Sequence, residues 1–235
     1  MKMDFLPHST LKISTLTLAI AAASFSASSV MAAECQLGSG NTGGATSFGT
    51  DALACGPNTS AFADNATAVG QNAFAAAENT VAIGNTAFAS TENAISIGAN
   101  SQADGVSSVA LGVAANAGGT NDTVAIGNTA NAGSNSATAV GGQANAAGLG
   151  STSIGWQSKA TAERAQAFGH LANASGVRST AVGEAATAGG TNDTVAIGNT
   201  ANAGSNSATA VGGQANAAGL GSTSIGWQSK ATAER

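Results

Sequence analysis

Charged and aromatic side chains are scarce in this sequence, and histidine and cysteine are nearly missing. Only 8% of the 235 residues are charged and 4% are aromatic, and there are two histidines and two cysteines. Nucleic-acid binding needs clustered lysine and arginine, which the sequence does not offer. Catalytic triads and metal sites need several bases or ligands, but His170 is the one histidine outside the N-terminal segment. We therefore expect no enzyme, cofactor, metal site or nucleic-acid partner.

Two short motifs are compatible with ligands but lack the remaining groups that such sites require. Asn121-Asp122, which recurs as Asn192-Asp193, falls in a turn where Ca²⁺ could bind, yet no further carboxylates accompany it. The many glycines do not open a helix, so a phosphate-binding loop is excluded by its context.

The segment 1–32 has the pattern of an export signal. It has Lys2 and Lys12 ahead of an apolar run at 16–25 that is too short to span a bilayer, and it has a small-x-small triplet ending at Ala32. We expect cleavage between Ala32 and Ala33; a short amphipathic or buried helix is the alternative. The remaining chain has five Lys+Arg and eleven Asp+Glu, a net charge of about −6, and offers no transmembrane helix. This predicts a protein that is secreted or exposed at the cell surface.

From residue 46 to the end, after a lead-in at 33–45, the sequence repeats one phrase, written most clearly at Thr80–Ala89. Its anchor is a glycine that we expect to form a turn, and it stands at Gly49, Gly70, Gly84, Gly98, Gly112, Gly127, Gly141, Gly155, Gly169, Gly183, Gly198, Gly212 and Gly226. A large apolar residue precedes each anchor, starting with Phe48 before Gly49. From the second anchor on, we expect this residue in the core of the repeat: Val69, Ile83, Ile97, Leu111, Ile126, Val140, Ile154, Phe168, Val182, Ile197, Val211 and Ile225. A fixed period of this kind is typical of a repeat architecture.

The spacing of the anchors is 14 residues, with three exceptions. It is 15 between Gly112 and Gly127 and between Gly183 and Gly198, which predicts a turn bulge near Gly118 and Gly189. It is 21 between Gly49 and Gly70, which predicts an insertion in the first unit.

The repeat predicts an all-β parallel solenoid. The residue three after each anchor is Ala or Ser and the residue five after it is Ala, so both lie on one face of a strand. Each unit then contains two short strands joined by turns rich in Asn, Gly, Ser and Asp. A coiled coil of two heptads per unit is excluded by the central glycine and the low charge. Thirteen turns stacked at about 4.8 Å give a rod of roughly 60 Å.

So thin a coil buries little apolar area, so we expect the rod to associate with copies of itself. The column three before the anchor is a candidate contact face, although it is equally compatible with an inward position: Val81, Ile95, Val109, Val124, Thr138, Val195 and Thr209.

Cys35 and Cys55 are the two cysteines, and both lie near the start of the exported chain. Outside the cytosol such a pair is expected to form a disulfide, which would close the open end of the solenoid. Two unpaired thiols are the alternative.

Aromatic residues fall at two places in the repeat. Phe74 and Phe88 share a column near Phe62, which predicts a stack either under a self-association interface or as a partner site. Trp156 and Trp227 follow the anchor in equivalent units, either as a plug of the corner or as an exposed anchor for a partner.

Residues 117–164 recur without change as 188–235. The offset of 71 residues equals four units of 14 and one of 15, so the duplication keeps the register of the coil. Because solenoids need terminal caps and none follows Arg235, we expect this sequence to be part of a longer polypeptide.

The phrases Asn79–Gly84, Asn93–Gly98 and Asp122–Gly127 resemble the head repeat of trimeric autotransporter adhesins of the YadA type, which has the form Asn-Ser-Val-Ala-Ile-Gly-x-x-Ser. The resemblance covers residues 46–235. It implies a left-handed parallel β-roll that forms a homotrimer on a Gram-negative surface and binds host matrix or cell-surface molecules. It also implies a stalk and an outer-membrane anchor, neither of which is found in this sequence. The anchor is the part through which such a protein would be held in the membrane. Ser three after the anchor is mostly Ala here, a departure from the pattern.

Two functions follow from these patterns. The first is a passive adhesin head that attaches through many repeated side chains. The second is a secreted structural or ice-binding solenoid, suggested by the recurring threonines. A phage fibre is a lesser alternative, which the export signal disfavours.

Overall fold

The computed structural model describes residues 33–35 and 43–233. The predicted export signal, the C-terminal pair 234–235 and most of the lead-in lie outside the described residues, as does Ala32 of the expected cleavage site. Within the described residues no helix is long and apolar enough to cross a membrane.

Two parallel sheets, each of 14 strands, run the length of the described chain, which confirms the predicted all-β solenoid. Sheet A consists of β1 (Ala33–Glu34), β3 (Leu53–Cys55), β5 (Thr67–Val69), β7 (Val81–Ile83), β9 (Ile95–Ile97), β11 (Val109–Leu111), β13 (Val124–Ile126), β15 (Thr138–Val140), β17 (Thr152–Ile154), β19 (Gln166–Phe168), β21 (Thr180–Val182), β23 (Val195–Ile197), β25 (Thr209–Val211) and β27 (Thr223–Ile225). Sheet B consists of β2 (Thr46–Ser47), β4 (Ser60–Ala61), β6 (Phe74–Ala75), β8 (Phe88–Ala89), β10 (Gln102–Ala103), β12 (Asn116–Ala117), β14 (Asn131–Ala132), β16 (Asn145–Ala146), β18 (Lys159–Ala160), β20 (Asn173–Ala174), β22 (Thr187–Ala188), β24 (Asn202–Ala203), β26 (Asn216–Ala217) and β28 (Lys230–Ala231).

One turn of the coil is a strand of sheet A, a corner, a strand of sheet B and a second corner. Each strand pairs with the equivalent strand of the next turn, so that Ala82 lies beside Ser96 in sheet A and Ala89 beside Ala103 in sheet B. The first corner begins at the anchor glycine, which has a positive φ of 136° at Gly84. The second corner is where the 15-residue units carry their extra residue, as isolated bridges from Val106 to Asn121 and from Val177 to Asn192 mark it.

The interior of the coil holds four small side chains per turn. In the turn of β7 and β8 these are Thr80, Ala82, Ala87 and Ala89, none of which has solvent exposure. The equivalent positions in every other turn hold Ala, Ser or Thr. Alternate residues of a strand face opposite sides, so the apolar residue directly before the anchor points away from this interior.

The prediction that these apolar residues form the core of the repeat is therefore wrong for the single chain. Ile83 and Leu111 have 36% and 42% of their surface exposed, and the column has no fully buried member. The interior between the two sheets is filled by the side chains of Ala, Ser and Thr, so the larger side chains lie outside it. The correction applies to Val69, Ile83, Ile97, Leu111, Ile126, Val140, Ile154, Phe168, Val182, Ile197, Val211 and Ile225.

The expected 21-residue first unit is also wrong. Cys55 pairs with Val69, so Cys55-Gly56 is the anchor of that turn and the 14-residue period holds there. Gly49 lies instead at a second corner, against the backbone of Ala63 in the next turn. The insertion lies earlier, because β1 pairs with β3 at an offset of 20 residues, as in Ala33 with Leu53.

Candidate binding surfaces

The outer face of sheet A carries an apolar stripe along the coil. Two residues per strand point outward, as Val81 and Ile83 do in β7 on either side of the buried Ala82. All three columns continue in register, as in Val124, Ala125 and Ile126 of β13. We call the outward column directly before the anchor, which is apolar in every turn from β5 onward, the apolar stripe. The candidate contact column three before the anchor lies beside the stripe and also points outward, but it holds Thr and Gln as well as apolar residues.

The outer face of sheet B is mostly polar. Its outward column from β10 onward contains Gln, Asn, Lys and Thr. Asn131 accepts a hydrogen bond from Asn116 at 3.2 Å and donates one to Asn145 at 3.1 Å, so the amides form a ladder along the sheet. The two faces of the coil therefore differ in chemistry: every strand of sheet A from β5 onward has at least one large apolar residue pointing outward, whereas sheet B from β10 onward has polar ones.

A stack of four phenylalanine rings interrupts the polar face at the N-terminal end. Ring centroids lie 5.1 Å apart from Phe48 to Phe62, 5.1 Å from Phe62 to Phe74 and 5.2 Å from Phe74 to Phe88. Phe48 is 66% exposed. The stack lies on the sheet B side of the coil, so it is not the underside of the apolar stripe.

The first corner carries the tryptophans on its outside. The ring of Trp156 stacks on that of His170 with centroids 5.0 Å apart, and His170 Nδ1 lies 3.6 Å from a carboxylate oxygen of Glu184. A side chain at Gly142 would meet the Trp156 ring, because a Cβ there would stand 3.1 Å from it. Trp227 packs over Gly213 in the same way and is 73% exposed, so neither ring plugs the interior.

The second corner contains the two Asn-Asp motifs. Arg178 donates two hydrogen bonds to Asp193, from Nε at 2.7 Å and from Nη2 at 2.8 Å, and this guanidinium lowers the pKa of Asp193. In the first copy Ser107 stands where Arg178 stands in the second, so Asp122 has a different neighbour. Among residues 33–35 and 43–233 no cluster of three or more His, Cys, Asp or Glu could hold a metal ion.

The two cysteines come together at the first turn of sheet A. Glu34 pairs with Ala54, and the next backbone N–H, that of Cys35, donates to the Ala54 carbonyl at 3.1 Å. The thiols are in hydrogen-bond contact, which raises the pKa of Cys55, together with partial burial and the charge of Cys35. Both are free thiols in this structure.

The family model of the YadA head domain repeat matches the chain at residues 49–73, 75–101, 103–130, 134–158, 146–172, 174–201, 203–229 and 217–235. The chain belongs to the YadA head family. The matches extend from residue 49 to residue 235 and cover nearly the whole of the described solenoid. None of the curated proteins compared with the chain matches it. Membership of the YadA head family points to an adhesin-type, surface-exposed protein, and this family is in general not enzymatic.

Sequence reasoning found the anchor glycines and the inward alanines but missed which surfaces are exposed. It placed the apolar column inside, and it did not identify Phe48 as part of the phenylalanine stack. A usable signal was present in the sequence: four columns per turn contain only Ala, Ser and Thr, and these are the four that fill the interior.

Proposed function

We propose that this chain is the head of a homotrimeric surface adhesin, assembled through the apolar stripe of sheet A. The observation that carries the proposal is that stripe, which leaves large residues such as Leu111 and Ile154 at 42% and 39% exposure in the single chain. Contiguous exposed apolar surface on a soluble protein marks an interaction site. A second and a third copy of the same chain carry the same stripe with the same spacing between strands, so their side chains match turn by turn. An unrelated partner would need apolar side chains at the same spacing.

Trimerisation through sheet A leaves sheet B and both corners facing outward. The amide ladder, the phenylalanine stack and the tryptophans would then lie on the surface of the trimer. Repeated groups at a fixed spacing favour multivalent attachment, in which many weak contacts raise the overall affinity without a deep pocket. We propose that these outward columns contact host matrix or cell-surface molecules, with the protein exported by the signal at residues 1–32 and displayed on the outer membrane of a Gram-negative cell.

An ice-binding solenoid is the alternative that the recurring threonines suggested. Ordered water on such a surface requires hydroxyls at each rung, but the column through Val124, Thr138, Thr152 and Gln166 changes chemistry repeatedly. We therefore favour the adhesin. A thermal-hysteresis measurement on the exported chain separates the two, since the adhesin is expected to show none.

Sedimentation equilibrium of the exported chain tests the assembly, with a trimer expected at micromolar concentration. A single species of monomer mass would overturn the trimeric head. Attachment is tested by flowing the protein over immobilised matrix proteins and over intact host cells. Retention that is slow to dissociate for the trimer and fast for a monomeric variant supports multivalent attachment, whereas no retention on any surface contradicts the adhesin function.

A further inference from the structure

We infer that Cys35 and Cys55 form an intrachain disulfide that fastens the first strand of the solenoid to the second strand of sheet A. No other residue pair in the described chain offers two thiols. The inference concerns the covalent state of the chain, and it does not depend on the identity of any attached ligand.

Backbone geometry brings the two residues side by side. The register of β1 on β3 places Ala33 beside Leu53 and Glu34 beside Ala54, so the following residues, Cys35 and Cys55, continue the same pairing. Neighbouring strands lie about 4.8 Å apart, which falls inside the range of Cα separations that a disulfide spans. Both side chains lie on the outer face of sheet A, partly exposed and within reach of an oxidant.

The first turn needs such a fastening more than the others do. Strand β1 has only two residues and one neighbour, β3, whereas the interior strands of sheet A have three residues and two neighbours. The offset between β1 and β3 is 20 residues, against 14 or 15 elsewhere, so a longer segment of sequence separates β1 from its neighbouring strand. Closing that segment covalently removes conformational freedom from the unfolded chain, and it also protects the edge of the sheet.

The bond forms by exchange with the disulfide of a thiol oxidoreductase in the compartment that receives the exported chain. The thiolate of one cysteine attacks that disulfide and gives a mixed disulfide, and the second cysteine then displaces it. The two cysteines lose two protons and two electrons in total, and the oxidoreductase is released as its dithiol. An export compartment is where such bonds form and persist.

Peptide mapping of the exported, full-length chain tests the inference. A protease that cuts after acidic residues cleaves at Glu34, Asp51 and Asp64, which separates the cysteines into fragments 35–51 and 52–64. With alkylation before digestion and no reductant, we expect the two fragments as one linked species that separates on reduction. Two alkylated fragments, or a covalent dimer or trimer on a non-reducing gel, would overturn it.

Single-cysteine variants give a second measurement, which can be read out while the rest of the solenoid stays folded. Cys35→Ser and Cys55→Ser should each expose one alkylatable thiol, where the native chain exposes none. Hydrogen exchange at the backbone amide of Cys35, which donates to Ala54, should become at least tenfold faster in both variants, with rates in β13 and β15 unchanged. Equal exchange at Cys35 in the native chain and both variants would contradict the fastening role.

Discussion

The carbonyl oxygen of Gly141 lies 2.5 Å from the point where a Cβ on Gly127 would stand. Gly127 also has a φ of 134°, a region that residues with side chains rarely adopt. Turns stack so closely at this corner that a methyl group would press on the backbone of the next turn. Gly127→Ala should lower the free energy of unfolding by about 2–4 kcal/mol, through backbone strain and the displaced corner together.

Gly133→Ala is the matched control, six residues further along. A Cβ there would meet only the side chain of Asn131, at 3.5 Å, and the backbone is not in the left-handed region. Thermal unfolding followed by circular dichroism should show a large fall in Tm for Gly127→Ala and little change for Gly133→Ala. Similar Tm values for the two variants would contradict the close stacking at the anchor.

The interior should tolerate the loss of a hydroxyl better than the introduction of a larger side chain. Ser151 is buried with an unpartnered hydroxyl, and its column holds alanine at Ala137 and Ala165 in the neighbouring turns. Ser151→Ala should leave the free energy of unfolding unchanged or raise it by up to about 1 kcal/mol. Ala139→Leu should lower it by about 1–3 kcal/mol or more, since the gap between the sheets has no room for the larger side chain. Chemical denaturation of the three proteins measures both; destabilisation by Ser151→Ala would show that this hydroxyl has a partner.

A lysine on sheet A should break the assembly and a lysine on sheet B should not. Ile126→Lys introduces a charge into the apolar stripe, where burial against other copies would be costly. Asn131→Lys changes the opposite face, in a column that already contains Lys159 and Lys230. Sedimentation should report monomer for the first variant and trimer for the second, with the same sheet signal in both. Trimer from Ile126→Lys would show that assembly uses another surface.

Stability should depend on pH through Arg178 and Asp193. The guanidinium holds the pKa of Asp193 below its ordinary value, so the pair contributes stability above the ordinary carboxyl pKa of about 3.9 and loses it as pH falls through the lowered value. Arg178→Ser copies the residue of the first repeat, Ser107, onto this corner. NMR titration should show the pKa of Asp193 rising toward its ordinary value in Arg178→Ser. The Tm difference between native and variant chains should be positive at pH 7 and vanish near pH 2; a difference that persists there would refute the linkage.

Removing residues 117–187 should leave an intact, shorter solenoid. The deletion joins Asn116 to Ala188, which restores the Asn-Ala pair of β12 and removes five whole turns, or about 24 Å of length. Small-angle scattering should report a rod shorter by that amount, with native sheet content. Removal of residues 117–180 is the control. It removes a number of residues that is not a whole number of turns, so the strands on either side of the junction no longer pair in register and the coil should unfold locally. Equal stability of the two deletions would contradict the register argument.

The architecture could be predicted from the sequence because period and parity are local properties. The spacing of the anchors predicted the turns of the coil. Ala87 and Ala89 are two residues apart and therefore lie on the same side of a strand, which predicted the inner face of sheet B. Parity does not extend across a corner, however, so it could not decide whether Ala82 or Ile83 faces inward. The deciding property is the volume between the sheets, which depends on both strands together.

Exposure and pairing between distant residues were harder to foresee. Phe48 precedes a glycine, as the apolar residues before the anchors do, so the pattern assigned it to the wrong column. The register of β3 on β5 identifies Cys55-Gly56 as the anchor of that turn. Trp156 and His170 lie in neighbouring turns, at a position where the repeat has no preferred type of residue. Such a contact depends on which side chains happen to be stacked, and the repeat itself does not specify it.

The identity of residues 117–164 and 188–235 has a consequence for how such a gene can change. Unequal recombination between the two coding stretches would gain or lose 71 codons at once, and the encoded protein would keep every neighbour relationship of the coil. Lineages would in this way differ in the length of the solenoid, without a single new side chain being tried by selection.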